Sequence, residues 1–374
     1  MQEEIYIKMN NHNQNLSKYA CKNELAIYLK PNNKDIRTPF FRDIDRIIYS
    51  LAFIRYQDKT QVFSKTYHEH ISKRMIHVQF VSKIARTIGR ALGLNEDLIE
   101  AASLGHDLGH VAFGHQGEYI LNDLSLKYNE GYFNHNIESV RNLMYLENYG
   151  NGLNITVQVL DAIMCHNGEF ALGKYEPKEK TKEEFLKEYE ESYHNKEILY
   201  QMRPMTLEGC VVRVSDLIAY LGRDIDDAVR LNVLKREEIP SSITNILGNT
   251  TKDIVNTCIM DIITNSMGKN YILLSKEVFT AIKELKKFNY EHIYNKAMTK
   301  EEKEKLKHMF VVLFETYLKD IETNNESSPI IYSYLKNMRK EYRENNTKAR
   351  IVIDYMAGMT DDYFIKEYDR ISSE

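Results

Sequence analysis

AASLGHDLGHVAFGHQGE, residues 101–118, is the most informative segment of this chain. It begins as the apolar end of a helix, reaches an adjacent imidazole and carboxylate at His106 and Asp107, and continues through a turn rich in glycine. Two buried polar groups need partners, because an unpaired buried charge is costly. One divalent cation would satisfy both side chains, so the stretch predicts a metal site at the end of a helix.

The segments on either side of this stretch have the 3.6-residue apolar period of helices. Before it, residues 72–92 carry one apolar face, Gly93 predicts a helix end and Asn95 predicts the cap of the next helix. Further helices are predicted near 116–126, 134–147, 154–165, 205–231, 252–267, 275–288, 299–322 and 328–343. The chain has six prolines and no alternating β runs, so the predicted fold class is all-α.

Composition excludes several classes of protein. The net charge is −4, so no basic excess points to nucleic acid or an anionic membrane, and binding of single-stranded DNA is not indicated. No apolar run approaches the roughly 18 residues of a membrane helix, and the N-terminus lacks the apolar region of a signal peptide. The four cysteines lack CxxC spacing, which favours a reduced, cytoplasmic protein.

Three regions are predicted along the chain. Residues 1–38 are polar and rich in asparagine, which is typical of an irregular arm. Residues 39–240 would form the core, with a highly charged segment at 171–200 that we interpret as a solvated insertion or surface helix. Residues 241–374 read as amphipathic helices that pack on this core.

Four residues are the candidate metal ligands: His77, His106, Asp107 and Asp216. His77 shares a helical face with apolar residues and points inward, although a lone inward histidine is more often a core residue. Asp216 lies in CVVRVSDLIAY, where an acid is rarely left unpaired. Two imidazoles and two carboxylates form a mixed nitrogen and oxygen site suited to Mn, Fe, Ni, Co, Zn or Mg.

The helix that carries Asp216 also has a polar face. Tyr220, Asp224 and Asp227 follow Asp216 at four, eight and eleven residues. This stripe could face solvent or line a site, and the valines before Asp216 favour burial of that residue.

A family resemblance rests on the order His77…His106-Asp107…Asp216 and on longer segments. The order resembles the H…HD…D signature of the HD superfamily. Longer segments resemble deoxyguanosinetriphosphate triphosphohydrolases: IRYQDKTQVF (54–63), RMIH (74–77), HDLGHVAFGHQGE (106–118), FNHNIES (133–139), RPMTLEGCVVRVSDLIAYLGRDIDDA (203–228) and DYMAGMTD (354–361). They cover roughly residues 39–230 and a C-terminal patch.

The resemblance implies an HD-domain helical core with additional C-terminal helices. The implied reaction converts a deoxynucleoside triphosphate (dNTP) and water into the deoxynucleoside and inorganic triphosphate, with dGTP as the preferred or linked nucleotide. A divalent metal would be needed, and a second Mg would come with the triphosphate. Relatives form oligomers from dimers to hexamers, with dNTP effector sites at the interfaces.

The resemblance also assigns roles around the phosphates. His115 would act as general acid for the departing 5′-oxygen or shape the attack at phosphorus, with His110 nearby and Glu118 orienting the ring. Glu118 and His115 could instead form only a structural hydrogen bond. Arg74, one turn before His77, and His135 would bind phosphate. Lys59 is a weaker cationic candidate, as are Arg55 and Arg203.

Other residues would contact the nucleoside. Tyr220 would pack against the deoxyribose and Asp224 would accept from the 3′-hydroxyl, a combination that excludes ribose. Gln57 would help to read the sugar. Tyr355 would line this pocket or a neighbouring subunit's pocket, or be a core tyrosine.

The sequence leaves the roles of two positions undecided. Leu217 stands where a mammalian relative has a phosphate-binding lysine. His166 is either a residue behind the site or a polar helix end, and we favour the helix end. The alternative functions are another HD-type hydrolase, acting on nucleoside monophosphates or cyclic nucleotides, and a nucleotide sensor with little turnover.

Overall fold

The computed structural model describes residues 1–11, 15–33, 35–62, 71–167 and 172–373, and within them the fold is all-α, as predicted. Predictions that fall on Phe63, on residue 171 and on residues 12–14 and 34 of the arm lie outside this range. Two short strands, β1 Lys174–Tyr175 and β2 Ile272–Leu273, pair antiparallel.

The helices in chain order are α1 Gln2–Asn11, α2 Pro39–Ile48, α3 Leu51–Ile54, α4 Arg74–Leu92, α5 Glu96–Gly105, α6 Gly114–Lys127, α7 His135–Arg141, α8 Glu147–Gly150, α9 Val157–Met164, α10 Lys182–Glu191, α11 Lys196–Gln201, α12 Leu207–Arg230, α13 Ser241–Leu247, α14 Thr251–Ser266, α15 Lys276–Asn289, α16 Lys300–Thr323, α17 Lys340–Asn345, α18 Lys348–Ala357 and α19 Asp361–Ser372. Turns of 3-10 helix lie at Asn23–Leu25, Arg55–Asp58, Arg236–Glu238 and Leu335–Asn337, and π-helical turns at Asn142–Leu146, Tyr290–Tyr294 and Ile330–Tyr334.

The junction between α4 and α5 forms as its sequence predicts. Gly93 has a φ of 68°, the left-handed conformation that ends α4 and that glycine adopts without steric cost. The side chain of Asn95 accepts hydrogen bonds from the backbone N–H groups of Asp97 and Leu98, which caps α5. This tight turn packs α5 back against α4, so the end of α5 reaches the inner face of the fold.

The larger of two buried cores is organised around α12. Its residues Val211, Val214 and Leu217 are fully buried. Helices α4, α5 and α9 surround α12, and α14 and α15 extend the same core. The middle of α12 therefore lies where three other helices converge.

The second core joins the glycine-rich stretch to the C-terminal helices. Val111 and Leu121, near and within α6, pack with Phe310 of α16 and Val352 of α18. Buried residues of α13–α15 belong instead to the first core. The division predicted at residue 240 remains a prediction.

Two polar regions, the N-terminal arm and the charged segment, are attached to the rest of the fold more firmly than their polarity predicted. In the N-terminal arm, Cys21 is buried and its backbone N–H donates to the carboxylate of Glu208 at 2.9 Å. In the charged segment, Lys180 is buried and donates to Asp161 of α9 at 2.6 Å, because a buried ammonium needs a carboxylate partner. Local composition did not reveal either anchor.

The predicted helix at 328–343 is interrupted. The backbone is extended at Met338 and Arg339, between the turn Leu335–Asn337 and α17. The N–H of Arg339 donates to the carbonyl of Tyr149 at 3.0 Å, a tertiary bond that replaces a helical one.

None of the described helices is both long enough and apolar enough to cross a membrane. The four cysteines are buried and none forms a disulfide.

Candidate metal centre

Three helices bring the four candidate ligands together in the first core. His77 lies in the first turn of α4, His106 and Asp107 directly follow α5, and Asp216 lies midway along α12. Because α5 packs against both α4 and α12, residues separated by up to 139 positions meet in one buried cluster.

The distances in this cluster suit one ion. Nε2 of His77 lies 3.0 Å from Oδ1 of Asp216, and Nε2 of His106 lies 3.6 Å from the same oxygen. Oδ1 of Asp107 lies 3.4 Å from Nε2 of His106, and Oδ2 of Asp107 lies 3.9 Å from Nε2 of His77. Ligands about 2.0–2.2 Å from a common ion lie within about 4.4 Å of one another, so each of these four pairs can share an ion.

His106 provides the test of whether these residues fit a divalent metal. Its Nδ1 is 2.7 Å from the carbonyl of Ser103, which can only accept, so Nδ1 carries the proton. Its buried Nε2 has no hydrogen-bond partner among the described residues and faces two carboxylates. A histidine that binds a metal usually donates a hydrogen bond from one ring nitrogen and keeps the other nitrogen free for the ion. The residues therefore fit a divalent metal.

The carboxylates of this cluster attract positive charge. Burial alone would lower the pKa of His106, but Asp107 and Asp216 outweigh it and raise that pKa to about 9. Burial also opposes the ionisation of Asp216, yet the imidazoles of His106 and His77 beside it hold its pKa well below the usual range. A divalent cation would supply this charge in place of the proton on His106.

Arg74 contacts a candidate ligand. Its guanidinium donates to Oδ2 of Asp107 at 2.5 Å and to the carbonyl of Thr60 at 3.3 Å. Its buried Nε has no hydrogen-bond partner among the described residues. In this structure Arg74 orients Asp107, a contact that the helical spacing of Arg74 and His77 did not predict.

A second group of polar residues adjoins the cluster. The rings of His110 and His135 are stacked with their centroids 3.9 Å apart, and His115 packs edge-on against both. Glu118 joins the group, with one carboxylate oxygen 3.1 Å from Nδ1 of His115 and the other 2.9 Å from Nδ1 of His135. Nε2 of His110 lies 3.4 Å from Asp107, which links the two groups.

Charge differs among the members of this group. Burial opposes the ionisation of Glu118, but His135 and His115 hold its pKa well below the usual range, so it is an anion. Burial, with Arg74 and His135, lowers the pKa of His110 well below its usual range, so His110 is neutral. The His115 side chain is 50% exposed, so it is the member of the group most open to a substrate.

His166 belongs to the cluster, which corrects the interpretation that it is only a polar helix end. It is buried just beyond α9, with Nε2 3.2 Å from Nε2 of His135 and 3.9 Å from Oδ1 of Asp107. Burial, with His106 and His135, lowers its pKa to about 3. The signal for the burial of His166 was the largely apolar helix that precedes it, α9, because such a helix carries its final residues inward.

Gly109 shows that one glycine of the motif serves close packing of the protein chain. A Cβ at Gly109 would lie 2.3 Å from the carbonyl oxygen of His135 and 2.3 Å from the amide nitrogen of Ser139, so no side chain fits. The Ser139 hydroxyl accepts from the Gly109 N–H at 2.8 Å. This contact docks α7 on the His106-Asp107 turn and positions His135.

The polar face of α12 is largely buried and does not form a solvent-facing stripe. Asp224 accepts a hydrogen bond from the hydroxyl of Tyr294 at 2.7 Å, and Tyr220 is partly buried. Burial raises the pKa of Asp224 to about 7, with the Tyr294 hydrogen bond acting in the opposite direction. Asp227 accepts from the backbone N–H of Ser72 just before α4, a structural role. Sequence reasoning missed Tyr294, which is distant in the chain and has no motif around it.

Three residues that were predicted to bind the substrate either contact other parts of the protein or lie at its surface. Lys59 is buried and donates to the carbonyls of His110 and Ala357, so it holds α18 against the motif. Gln57 is exposed on the turn Arg55–Asp58. Tyr355 lies in the second core, where its hydroxyl is 2.9 Å from that of Tyr363.

Among the weaker cationic candidates, Arg203 donates to the backbone carbonyls of Glu176 and Pro177 at the surface. Arg55 and Tyr355 line a separate cavity of about 710 Å³ between α2 and the C-terminal helices.

Two family models match this chain. The HD domain matches residues 74–221, which contain all four candidate ligands. The phosphohydrolase-associated domain matches residues 272–370.

Curated relatives match nearly the whole chain. A deoxyguanosinetriphosphate triphosphohydrolase-like protein of Caldanaerobacter subterraneus subsp. tengcongensis is 40% identical over 95% of this chain and 92% of its own length. Proteins with the same description from Clostridium tetani and Rickettsia felis are 37% and 31% identical, over 92% and 90% of this chain and 88% and 92% of their own lengths.

Proposed function

Because this chain belongs to the family of deoxyguanosinetriphosphate triphosphohydrolase-like HD-domain proteins, we propose that it hydrolyses a dNTP to the deoxynucleoside and inorganic triphosphate. The observation that carries the proposal is the clustering of His77, His106, Asp107 and Asp216 beside His115, which is half-exposed, and its buried partner Glu118. A metal-ligand set next to a histidine and carboxylate pair suits attack of water on a phosphorus atom with protonation of the leaving oxygen.

The proposed ligands are His77, His106, Asp107 and Asp216. When bound, a divalent ion would supply Lewis acidity to a phosphoryl oxygen and to the attacking water. His106 is held for this role by the Ser103 carbonyl, and Arg74 holds Asp107. Mn, Fe, Ni, Co, Zn and Mg all remain candidates, and a second Mg would accompany the triphosphate.

The proton needed by the departing 5′-oxygen is assigned to His115. Glu118 accepts from Nδ1 of His115, so Nε2 of that ring would carry the proton that is given to the substrate. The anionic carboxylate keeps the ring oriented and offsets the charge of its protonated form. His110 and His135 would contact the phosphates, and Arg74 would offset phosphate charge from its place beside Asp107.

Recognition of the sugar is assigned to Tyr220, which would exclude a 2′-hydroxyl, and to Asp224, which would accept from the 3′-hydroxyl. Asp224→Asn is expected to lower the preference for dGTP over 2′,3′-dideoxyGTP by about 10- to 100-fold, because a hydrogen bond to an ionised group contributes about 1.5–3 kcal/mol. In the unmodified protein this preference should grow as pH rises through about 7, where Asp224 ionises. The measurement is kcat/KM for both nucleotides at pH 6 and pH 8.

The matched control is Asp226→Asn, which alters a carboxylate on the same helix that pairs with Arg236 at the surface. It should leave the preference and its pH dependence unchanged. A preference that survives in Asp224→Asn would remove this residue from the sugar site.

The reaction itself is tested by product identity. The four dNTPs and four NTPs would be supplied singly and in pairs with Mn²⁺ or Mg²⁺, and the products separated by anion exchange. Intact triphosphate with the free deoxynucleoside supports the proposal. Pyrophosphate or orthophosphate alone contradicts it, and turnover restricted to monophosphates or cyclic nucleotides would favour another HD-type hydrolase.

Further parts of the proposal concern preference, assembly and location. We propose dGTP as the preferred or linked nucleotide, a homo-oligomer between dimer and hexamer, and a dNTP effector, which the paired-nucleotide assay tests. Residues 39–240 would be the catalytic core and 241–374 a helical region packed on it, in keeping with the two family models. The unpaired, buried cysteines support a reducing, cytoplasmic location.

A further inference from the structure

A second set of donors lies against the proposed metal centre. Nε2 of His135 and Nε2 of His166 face each other at 3.2 Å, and Oδ1 of Asp107 lies 3.9 Å from Nε2 of His166. All three side chains are buried, and one atom from each lies within 4.8 Å of the others. The roles proposed above leave His166 without a function.

The neighbours of the two rings determine which nitrogens carry protons. Nδ1 of His166 lies 2.6 Å from the carbonyl of Ile163, which can only accept. Nδ1 of His135 lies 2.9 Å from Glu118, an anion that also accepts from the backbone N–H of His135. Both Nδ1 atoms therefore donate, so in the neutral form of each ring Nε2 is the nitrogen with the lone pair, and these two atoms face each other. Two facing lone pairs repel unless a cation lies beside both.

His106 supplies an internal comparison. Its Nδ1 donates to the carbonyl three residues earlier, Ser103, just as His166 donates to Ile163. In both cases a helix ends, α5 or α9, and the ring turns Nε2 toward Asp107. His166 thus repeats the local arrangement of a proposed ligand of the first ion.

The separation of the two nitrogens matches coordination. An ion with nitrogen ligands at about 2.0–2.1 Å and angles between 90° and 110° sets them about 2.8–3.4 Å apart. The observed 3.2 Å falls within that interval. We propose that His135, His166 and Asp107 hold a second metal ion, with Asp107 shared between the two positions and with His135 bound to this ion instead of directly to phosphate.

The donor set indicates the class of metal. Two imidazoles and one carboxylate suit Mn, Fe, Co or Zn better than Mg, which favours oxygen ligands. This position is built from protein donors, so it differs from an Mg ion that arrives with the triphosphate. The inference rests on the proposed function for its use, because two adjacent ions can clamp the attacking and leaving oxygens of a phosphoryl displacement.

The test is the number of Mn²⁺ ions bound by the full chain. Chelator-stripped protein would be loaded with Mn²⁺ alone, freed of excess metal and analysed by elemental mass spectrometry and electron paramagnetic resonance. We expect two ions per chain with a spin-coupled spectrum. His166→Gln should hold one ion with the six-line spectrum of isolated Mn²⁺.

The matched control is His292→Gln, because His292 also faces the carbonyl of its own helix, at Phe288, but lies outside the cluster. It should bind two coupled ions. His135→Gln, which leaves the end of α9 untouched, should also bind one ion and serves if His166→Gln fails to fold. One ion in the unmodified chain, or two in both variants, would overturn the inference and leave a shared proton as the link between the rings.

Triphosphate release measured on the same samples separates the two proposals. One bound ion with triphosphate release would remove only the second metal position. Two coupled ions without triphosphate release would remove only the proposed reaction.

Discussion

Asp216→Asn is expected to empty the first metal position and to lower triphosphate release by more than about 100-fold. Losing even an outer partner of a metal ligand costs about 10- to 100-fold in affinity or activity, and Asp216 is placed to bind the ion directly. Its Oδ1 atom lies 3.0 Å from His77 and 3.6 Å from His106, and asparagine removes the negative charge at this point. Metal content and initial rate would be measured on the same preparation.

Asp226→Asn is again the matched control, since it removes a charge from the same helix at a surface ion pair. Its metal content and rate should equal those of the unmodified chain. Circular dichroism melting would establish that both variants fold. Full activity in a folded, metal-depleted Asp216→Asn protein would exclude the proposed centre from the reaction.

His115→Asn is expected to lower kcat by about 10²- to 10⁴-fold, the usual contribution of a general acid, while metal content stays unchanged. Glu118→Gln should also lower kcat, because the carboxylate holds both His115 and His135. Loss of activity with the metal retained would separate proton donation from metal binding.

A substrate with sulfur in place of the 5′-oxygen sharpens this test. A thiolate leaves without a proton donor, so the 5′-thio analogue should be hydrolysed by His115→Asn at nearly the rate of the unmodified chain. His308→Asn, at an exposed histidine of α16, is the control and should leave both substrates unaffected. An equal loss of rate on the oxygen and sulfur substrates would assign His115 to positioning.

The helices of this protein were largely predictable because their signals are local. The apolar period of α4, the left-handed Gly93 and the Asn95 cap all act within a few residues of one another. The interruption at Met338 and Arg339 was not predictable, since it depends on a hydrogen bond to Tyr149, far away in the chain.

The motif identified the residues of the candidate centre, but it did not identify their hydrogen-bond partners. Arg74 was expected at a phosphate and contacts Asp107, and Lys59 was expected there too but holds Ala357 against His110. A cation in a sequence does not reveal which anion or carbonyl will be nearest after folding. For the same reason the tyrosine neighbours of Tyr355 could not be inferred from its motif.

The all-α class, the helix that ends at His106-Asp107 and the four candidate ligands could be predicted from the sequence, since periodicity and capping act between neighbouring residues and the order of a motif is read along the chain. The folded structure was needed to show that His166 faces His135, that Tyr294 reaches Asp224 and that a side chain at Gly109 would exclude α7. These contacts join helices distant in the chain, and their geometry depends on how whole helices pack, which no short stretch of residues specifies.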